Sequence, residues 1–266
     1  MEINLFKNRL NEGQFERLAG LIEERFGLKI TVAKKDMIEA RLRKRLKDLG
    51  MEDFNHYIQY LFSAVGMKQE LPLFADVVTT HKTDFFREPE HFDYLTRYAL
   101  PGLISQEGAG VRRPLMFWSA GCSTGEEPYT LAMVLYELQS QVPGFSLDFT
   151  ILATDLSEEV VAFARRAVYM EEKIAPVPMS MRKNYLLRSR DKESRQVRIA
   201  PILRQKVKFR ALNFMNDQFG VREQMDVIFC RNVLIYFNPD KQRLIISRLL
   251  SHLRLGGYIF FGHSES

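Results

Sequence analysis

The chain has 266 residues, 46% hydrophobic and 27% charged, the balance of an ordinary soluble protein with room for one large domain or two unequal ones. No signal-peptide pattern follows Met1, and the longest apolar runs, such as residues 258–261, fall far short of the ~20 residues that cross a bilayer. Cys122 and Cys230 stand far apart, with neither zinc spacing nor a disulfide framework, so no metal centre is expected and a reduced, cytoplasmic setting is.

Residues 1–75 read as a small helical domain. Phe15, Leu18, Leu21, Ile22 and Phe26 recur at three- and four-residue steps up to Gly27, the mark of one buried helix face with a glycine stop. A second helix is expected over 35–49, ending at Gly50, and a third over about 54–64. Residues 76–90 read as a linker that contributes to the active site. From residue 91 the chain reads as one α/β domain. Strands are expected at 114–121, 149–155, 225–230 and 257–261, and helices at 127–139, 158–168 and 239–253. Continuous apolar strands alternating with helices predict a doubly wound, mostly parallel sheet. Residues 170–212 interrupt the rhythm with alternating stretches at 184–188 and 196–210, which predict a small antiparallel insert.

Net charge is +5, a modest excess that by itself suggests solubility more than a partner. Its distribution says more. Residues 29–47 hold eight basic side chains against two acidic, and residues 182–210 hold eleven against two, so the rest of the chain is net acidic. Two local basic stretches on an acidic background predict docking surfaces.

The candidate chemistry lies at the strand ends. Ser119-Ala120-Gly121-Cys122-Ser123-Thr124-Gly125 is a small-residue turn after the first strand, of the kind that lets a cofactor approach the backbone. Many such turns bind nothing. This one lacks both the dinucleotide glycine pattern and a phosphate-binding lysine, and Glu126 and Glu127 would repel a pyrophosphate. Asp155 ends the second strand, where an acid accepts ribose hydroxyls in such sheets; a turn acid or helix cap is the plain alternative. Together the turn and the acid favour an adenosine-containing ligand without a pyrophosphate.

Five blocks then carry a resemblance. They are Thr79-Thr80-His81-Lys82-Thr83-Asp84-Phe85-Phe86-Arg87, residues 118–129, Ala153-Thr154-Asp155, residues 229–237, and Gly262-His263-Ser264-Glu265-Ser266. In these the chain resembles the CheR-type receptor glutamate methyltransferases over nearly its whole length. The resemblance implies a Rossmann-like class I methyltransferase domain behind a helical one. It implies S-adenosylmethionine as methyl donor, S-adenosylhomocysteine as product, and glutamates in the cytoplasmic helical region of methyl-accepting receptors as acceptors. It assigns cofactor contacts to His81 (Asn in many relatives), Thr83, Arg87, Glu127 with Glu126 as the neighbouring alternative, Asp155, Asn213, Phe214, Arg231 and Asn232. Arg87 and Tyr236 become the catalytic candidates, against plain readings as a structural ion pair and a core-edge ring. Relatives usually continue past the fifth block, so a final edge strand is expected to be missing.

Arg41, Lys44 and Arg45 share one face of the expected second helix, opposite Leu42 and Leu46. A solvated charged face is the usual explanation; the resemblance makes them receptor-docking residues. Some relatives also capture a C-terminal receptor pentapeptide on the antiparallel insert, through a glycine-containing loop. Here residues 188–195 contain no glycine, so tether capture is not expected. Two other functions compete. A nucleic-acid methyltransferase would use the basic insert along a phosphate backbone, but the run from Asn232 to Tyr236 lacks both prolines of the Asn-Pro-Pro-Tyr motif and no stacking aromatics accompany the charge. A non-catalytic adaptor would have no use for Arg87, Asp155 and Tyr236 together. Neither nucleic-acid binding nor membrane insertion is expected.

Overall fold

The structure is a computed structural model that describes residues 9–265. It divides into two compact units. Among the described residues, one holds 9–80 with 236–241, and the other holds 81–235 and 242–265.

The first unit is helical. Helix α1 (Glu12–Phe26) starts at a capping box in which the Gln14 amide donates to Asn11 Oδ1 at 2.8 Å and the Asn11 amide to Gln14 Oε1 at 2.9 Å, satisfying two otherwise orphaned N–H groups. Phe15, Leu18, Leu21, Ile22 and Phe26 are buried. Helix α2 (Lys35–Leu49) has the expected bounds and buries Ile38, Leu42 and Leu46. The expected third helix is shorter. Helix α3 (Phe54–Leu61) stops because the Ser63 hydroxyl caps a new start, accepting from the Gly66 amide at 3.0 Å. Helices α4 (Ala64–Gln69) and α5 (Leu71–Val78) follow, so the expected linker opens inside a helix. A buried polar triad holds these elements together. Glu70 accepts from Arg45 Nε at 2.8 Å, Arg45 Nη2 at 2.7 Å and the Tyr57 hydroxyl at 3.0 Å.

In the second unit, helices α6 (Glu90–Tyr94) and α7 (Leu100–Glu107) flank a π-helical turn at Leu95–Ala99. Next come β1 (Leu115–Ala120), α8 (Glu126–Ser140), β2 (Phe149–Asp155) and α9 (Glu158–Arg166). The three-stranded antiparallel sheet is β3 (Val168–Met170), β4 (Leu186–Arg188) and β5 (Gln196–Ile199), in the order β3-β5-β4; α10 (Met179–Tyr185) lies within it in sequence. Helix α11 (Pro201–Arg204), β6 (Val207–Ala211), β7 (Met225–Cys230), α12 (Pro239–Ser251) and β8 (Leu253–Phe261) complete the fold.

The antiparallel insert is thus smaller than the sequence pattern suggested. Pro201 breaks the alternating run of residues 196–210 into β5 and β6, and β6 pairs in parallel with β2 as a strand of the main sheet. The basic run of 182–210 is divided accordingly. On the β6 side Lys206 pairs with Asp148 at 3.4 Å, and Arg210 donates to the Phe219 and Gly220 carbonyls.

The main sheet has the order β6-β2-β1-β7-β8, with every pairing parallel. Its centre is dry: Phe117 and Trp118 of β1 and all of β7 are buried. Asp226 in β7 is tolerated because Arg113 grips it with two bonds of 2.8 and 2.6 Å and the Met116 amide adds a third at 2.8 Å. From β1 the chain builds outward one way through β2 and β6, then returns to the other side of β1 with β7. The carboxyl ends of β1, β2 and β7 therefore meet at the switch point where such sheets bind ligands.

Candidate active site

Two groups of side chains gather at that edge. The first surrounds the turn between β1 and α8. Gly121, Ser123 and Gly125 adopt φ of 88°, 48° and 96°. A Cβ on Gly121 would meet Val233 Cγ2 at 2.3 Å, and one on Gly125 would lie 2.8 Å from Ala164 Cβ. Both glycines therefore answer first to close packing within the protein. The turn is tied to β2: the Gly121 and Cys122 amides donate to the Thr154 carbonyl, and the Ser123 amide to Asp155 Oδ2 at 2.8 Å. Asp155 Oδ1 accepts the Ser157 amide at 3.1 Å. Burial raises the Asp155 pKa, partly offset by these two amides and by the nearby His81. The His81 carbonyl accepts from the Ser123 hydroxyl at 3.3 Å, so His81, Ser123 and Asp155 form one cluster.

The second group centres on Arg231, whose side chain is 2% exposed. One Nη donates to Glu127 Oε2 at 3.1 Å; the other reaches Glu88 Oε2 at 3.1 Å and the Arg87 carbonyl. The second Glu127 oxygen accepts from the Ser119 hydroxyl at 2.7 Å, and the second Glu88 oxygen from Asn232 Nδ2 at 3.1 Å. Burial pushes the Glu127 carboxyl up, with Arg231 and Ser119 working against the shift. Burial also penalises the Glu88 charge, but bonds from Asn232 and Arg231 outweigh it and its pKa falls below the usual carboxylate value. The backbone is bent to make this cluster: Phe86, Glu88 and Asn232 have φ of 54°, 53° and 59°. His91 and His263 bring imidazole nitrogens near Glu88, although both Glu88 oxygens are already engaged.

Comparison with known proteins interprets the arrangement. Residues 81–266 match the CheR methyltransferase SAM binding domain, and residues 13–79 match the CheR methyltransferase all-alpha domain. A chemotaxis protein methyltransferase of Borreliella burgdorferi is 36% identical over 100% of this chain and 90% of its own length. One from Escherichia coli is 35% identical over 97% of this chain and 85% of its own. Chemotaxis protein methyltransferase 2 of Pseudomonas aeruginosa is 35% identical over 90% of this chain and 81% of its own. The chain belongs to the CheR methyltransferase family. It is an S-adenosylmethionine-dependent enzyme built from a helical domain and a Rossmann-like domain.

The donor set fits such a cofactor. Asp155 and Glu127 are acceptors suited to hydroxyl and ammonium groups, and no basic residue lies in residues 119–127 to receive a pyrophosphate. Other expected contacts in this CheR-type domain stand near the same edge. Asn213 and Phe214 follow β6; Asn213 Oδ1 accepts the Met215 amide at 2.9 Å, and Phe214 is buried against Phe219. The Thr83 carbonyl accepts from Lys173 at 3.0 Å, and Arg87 Nη1 donates to the Lys82 carbonyl at 3.1 Å. Of the two glutamates, Glu126 is buried against the Thr124 hydroxyl at 2.6 Å, whereas Glu127 meets Arg231. Ser119 and Glu88 are partners that the sequence reading missed. Ser119 lies in the small-residue turn, where the sequence marks close backbone approach and not a side-chain donor, and nothing in the local pattern marks Glu88.

Tyr236 falls in the helical unit. Its carbonyl accepts the Lys29 amide at 2.8 Å, and the Lys34 ammonium stands 4.9 Å above its ring. The three docking candidates are not equivalent. Lys44 is exposed. Arg41 donates to the Val77 and Thr79 carbonyls at 2.9 and 2.5 Å, and Arg45 is bound to Glu70. Among the described residues no helix is long and apolar enough to cross a membrane.

Proposed function

We propose that the enzyme esterifies glutamate side chains in the cytoplasmic helical region of chemotaxis receptors, with Asp155 and Glu127 holding the cofactor and Arg87 and Tyr236 ordering the reacting groups. The observation that carries this reading is the pair of half-buried carboxyls, Asp155 and Glu127, at the switch point of a CheR-type sheet. When bound, S-adenosylmethionine supplies a methyl group on a sulfonium, an electrophile that needs no further activation. The acceptor glutamate is already anionic near neutral pH, so the protein needs no strong base and acts mainly by alignment. Asp155 accepts ribose hydroxyls. Arg231 holds Glu127 in place through the bond it already makes. Arg87 grips a carboxylate by a charge-assisted bond, and Tyr236 orients the nucleophilic oxygen.

Lys44 and the basic face of α2 attract the acidic receptor helix, chiefly by speeding encounter. The working place is the cytoplasm. The test is incubation with methyl-labelled cofactor and receptor-containing membranes, followed by peptide mass spectrometry. Base-labile methyl esters on receptor glutamates are expected. Label that is stable to base, or label found on nucleic acid, would refute the proposal.

A further inference from the structure

The block Gly262-His263-Ser264-Glu265 carried resemblance but no role, and the structure gives its acid an unusual position. The Glu265 side chain returns from the turn after β8 to the turn after β7. Its Oε2 accepts the Asn232 amide at 2.7 Å and the Gly262 amide at 2.7 Å. Its Oε1 accepts the Leu234 amide at 2.6 Å and the Ile235 amide at 3.4 Å. One carboxylate thus receives four backbone N–H groups, three of them from the turn that carries Asn232.

That turn is not self-supporting. Asn232 sits at φ 59°, a left-handed conformation that asparagine tolerates better than other side chains but that still gives the turn no regular backbone partners of its own. Val233 is pressed against Gly121, leaving no room for a Cβ there. Side chains pin the two ends of this short stretch: Arg231 and Asn232 on Glu88 and Glu127, and Leu234 by its carbonyl on Gln242 at 2.9 Å. Between them Glu265 supplies the acceptors the backbone would otherwise lack, and charge-assisted bonds are the strong ones.

We infer that Glu265 is a positioning residue for methyl transfer: its carboxylate fixes the backbone of residues 232–235 and thereby the setting of Asn232 and Arg231 at the cofactor edge. This rests on the reading that Arg231 and Asn232 face the cofactor. Displacements of about 1 Å in such a setting cost on the order of a hundredfold in rate.

The test compares Glu265→Ala, Glu265→Gln and Asn232→Ala in the full chain. The readouts are S-adenosylhomocysteine affinity by calorimetry, kcat and KM with receptor membranes, and amide hydrogen exchange at residues 232, 234 and 262. For Glu265→Ala we expect about tenfold or greater loss of cofactor affinity and a lower kcat, at an unchanged KM for receptor and at temperatures where the protein is still folded. Exchange protection should vanish at those three amides while β7 stays protected. Glu265→Gln keeps the shape and one acceptor oxygen, so it should recover part of both. It carries the test should the alanine variant not fold. Wild-type affinity and kcat in the glutamine variant, with those amides exposed to exchange, would overturn the inference. If Asn232→Ala also binds the product normally, the underlying site reading fails instead.

Discussion

Arg45 belongs to the fold before it belongs to any docking surface, and the consequence can be measured. The Glu70 side chain is 1% exposed and has three donors, two of them from Arg45. Replacing Arg45 with Ala leaves a buried carboxylate with only the Tyr57 hydroxyl. Breaking one side of a buried ion pair costs about 3–5 kcal/mol, against a total stability of about 5–15 kcal/mol for a typical domain. The helical unit should lose a large part of its stability, seen as a lower urea midpoint by circular dichroism. Removing both partners, as Arg45→Met with Glu70→Leu, should cost less than Arg45→Ala alone, because no charge is left stranded. Lys44→Glu, on the exposed part of the same helix, should change stability by no more than about 0.5 kcal/mol while slowing receptor methylation and weakening its salt dependence. A charge reversal at Arg45 would therefore mix unfolding with lost docking, and Lys44 is the cleaner probe. An Arg45→Ala protein with a wild-type urea midpoint would refute the reasoning.

Three further outcomes follow from the site. Asp155→Ala should weaken both S-adenosylmethionine and S-adenosylhomocysteine by ~1–3 kcal/mol in calorimetry, since a half-buried hydrogen-bond acceptor is lost; unchanged affinity removes Asp155 from the site. Burial raises the folded pKa of Glu127 and Asp155, so ligand-free protein holds these protons more tightly than the unfolded chain. Their contribution to stability is then largest below the usual carboxylate pKa and is lost as pH rises through the folded value. Glu127→Gln should flatten the part of the profile that lies above the usual carboxylate pKa in urea titrations, and an unaltered slope would count against it. A C-terminal receptor pentapeptide should show no saturable binding at physiological salt, because residues 188–195 offer no glycine where a peptide backbone could approach; micromolar affinity would reverse this.

Much of the fold was legible because its determinants are local. Helix α2 and strands β2 and β7 have the expected bounds, each set by an apolar pattern with a sharp stop such as Gly50 or Asp155. Where neighbours in space decide, the reading failed. Residues 196–210 alternate throughout, and alternation does not say whether the partner strand is an adjacent hairpin or a distant parallel strand. Helix α4 was invisible because its start depends on one serine cap, and Gly66 inside it reads as a breaker. In the structure that glycine is required, since a Cβ would lie 1.9 Å from the Tyr60 carbonyl oxygen.

The same division runs through the active site. Asp155 and the glycine turn announce themselves at strand ends. Glu88 does not, because its role exists only where Arg231 arrives from more than a hundred residues away, and Ser119 shows itself only once Glu127 folds back over the end of β1. Yet these hidden partners hold the candidate site together. Methyl transfer from a sulfonium to a carboxylate turns two charges into none, so a dehydrated site does not oppose it as it would oppose charge separation. What dehydration threatens is the protein's own acids. Glu127 and Glu88 share one buried guanidinium, and Asp155 rests on two backbone amides and the neighbouring His81. Each carboxyl that could hold a cofactor is therefore held first by the protein, which fixes the acidic groups of the edge in place. Alignment, not acid–base strength, is what this arrangement can deliver, in keeping with a donor and an acceptor that are already reactive.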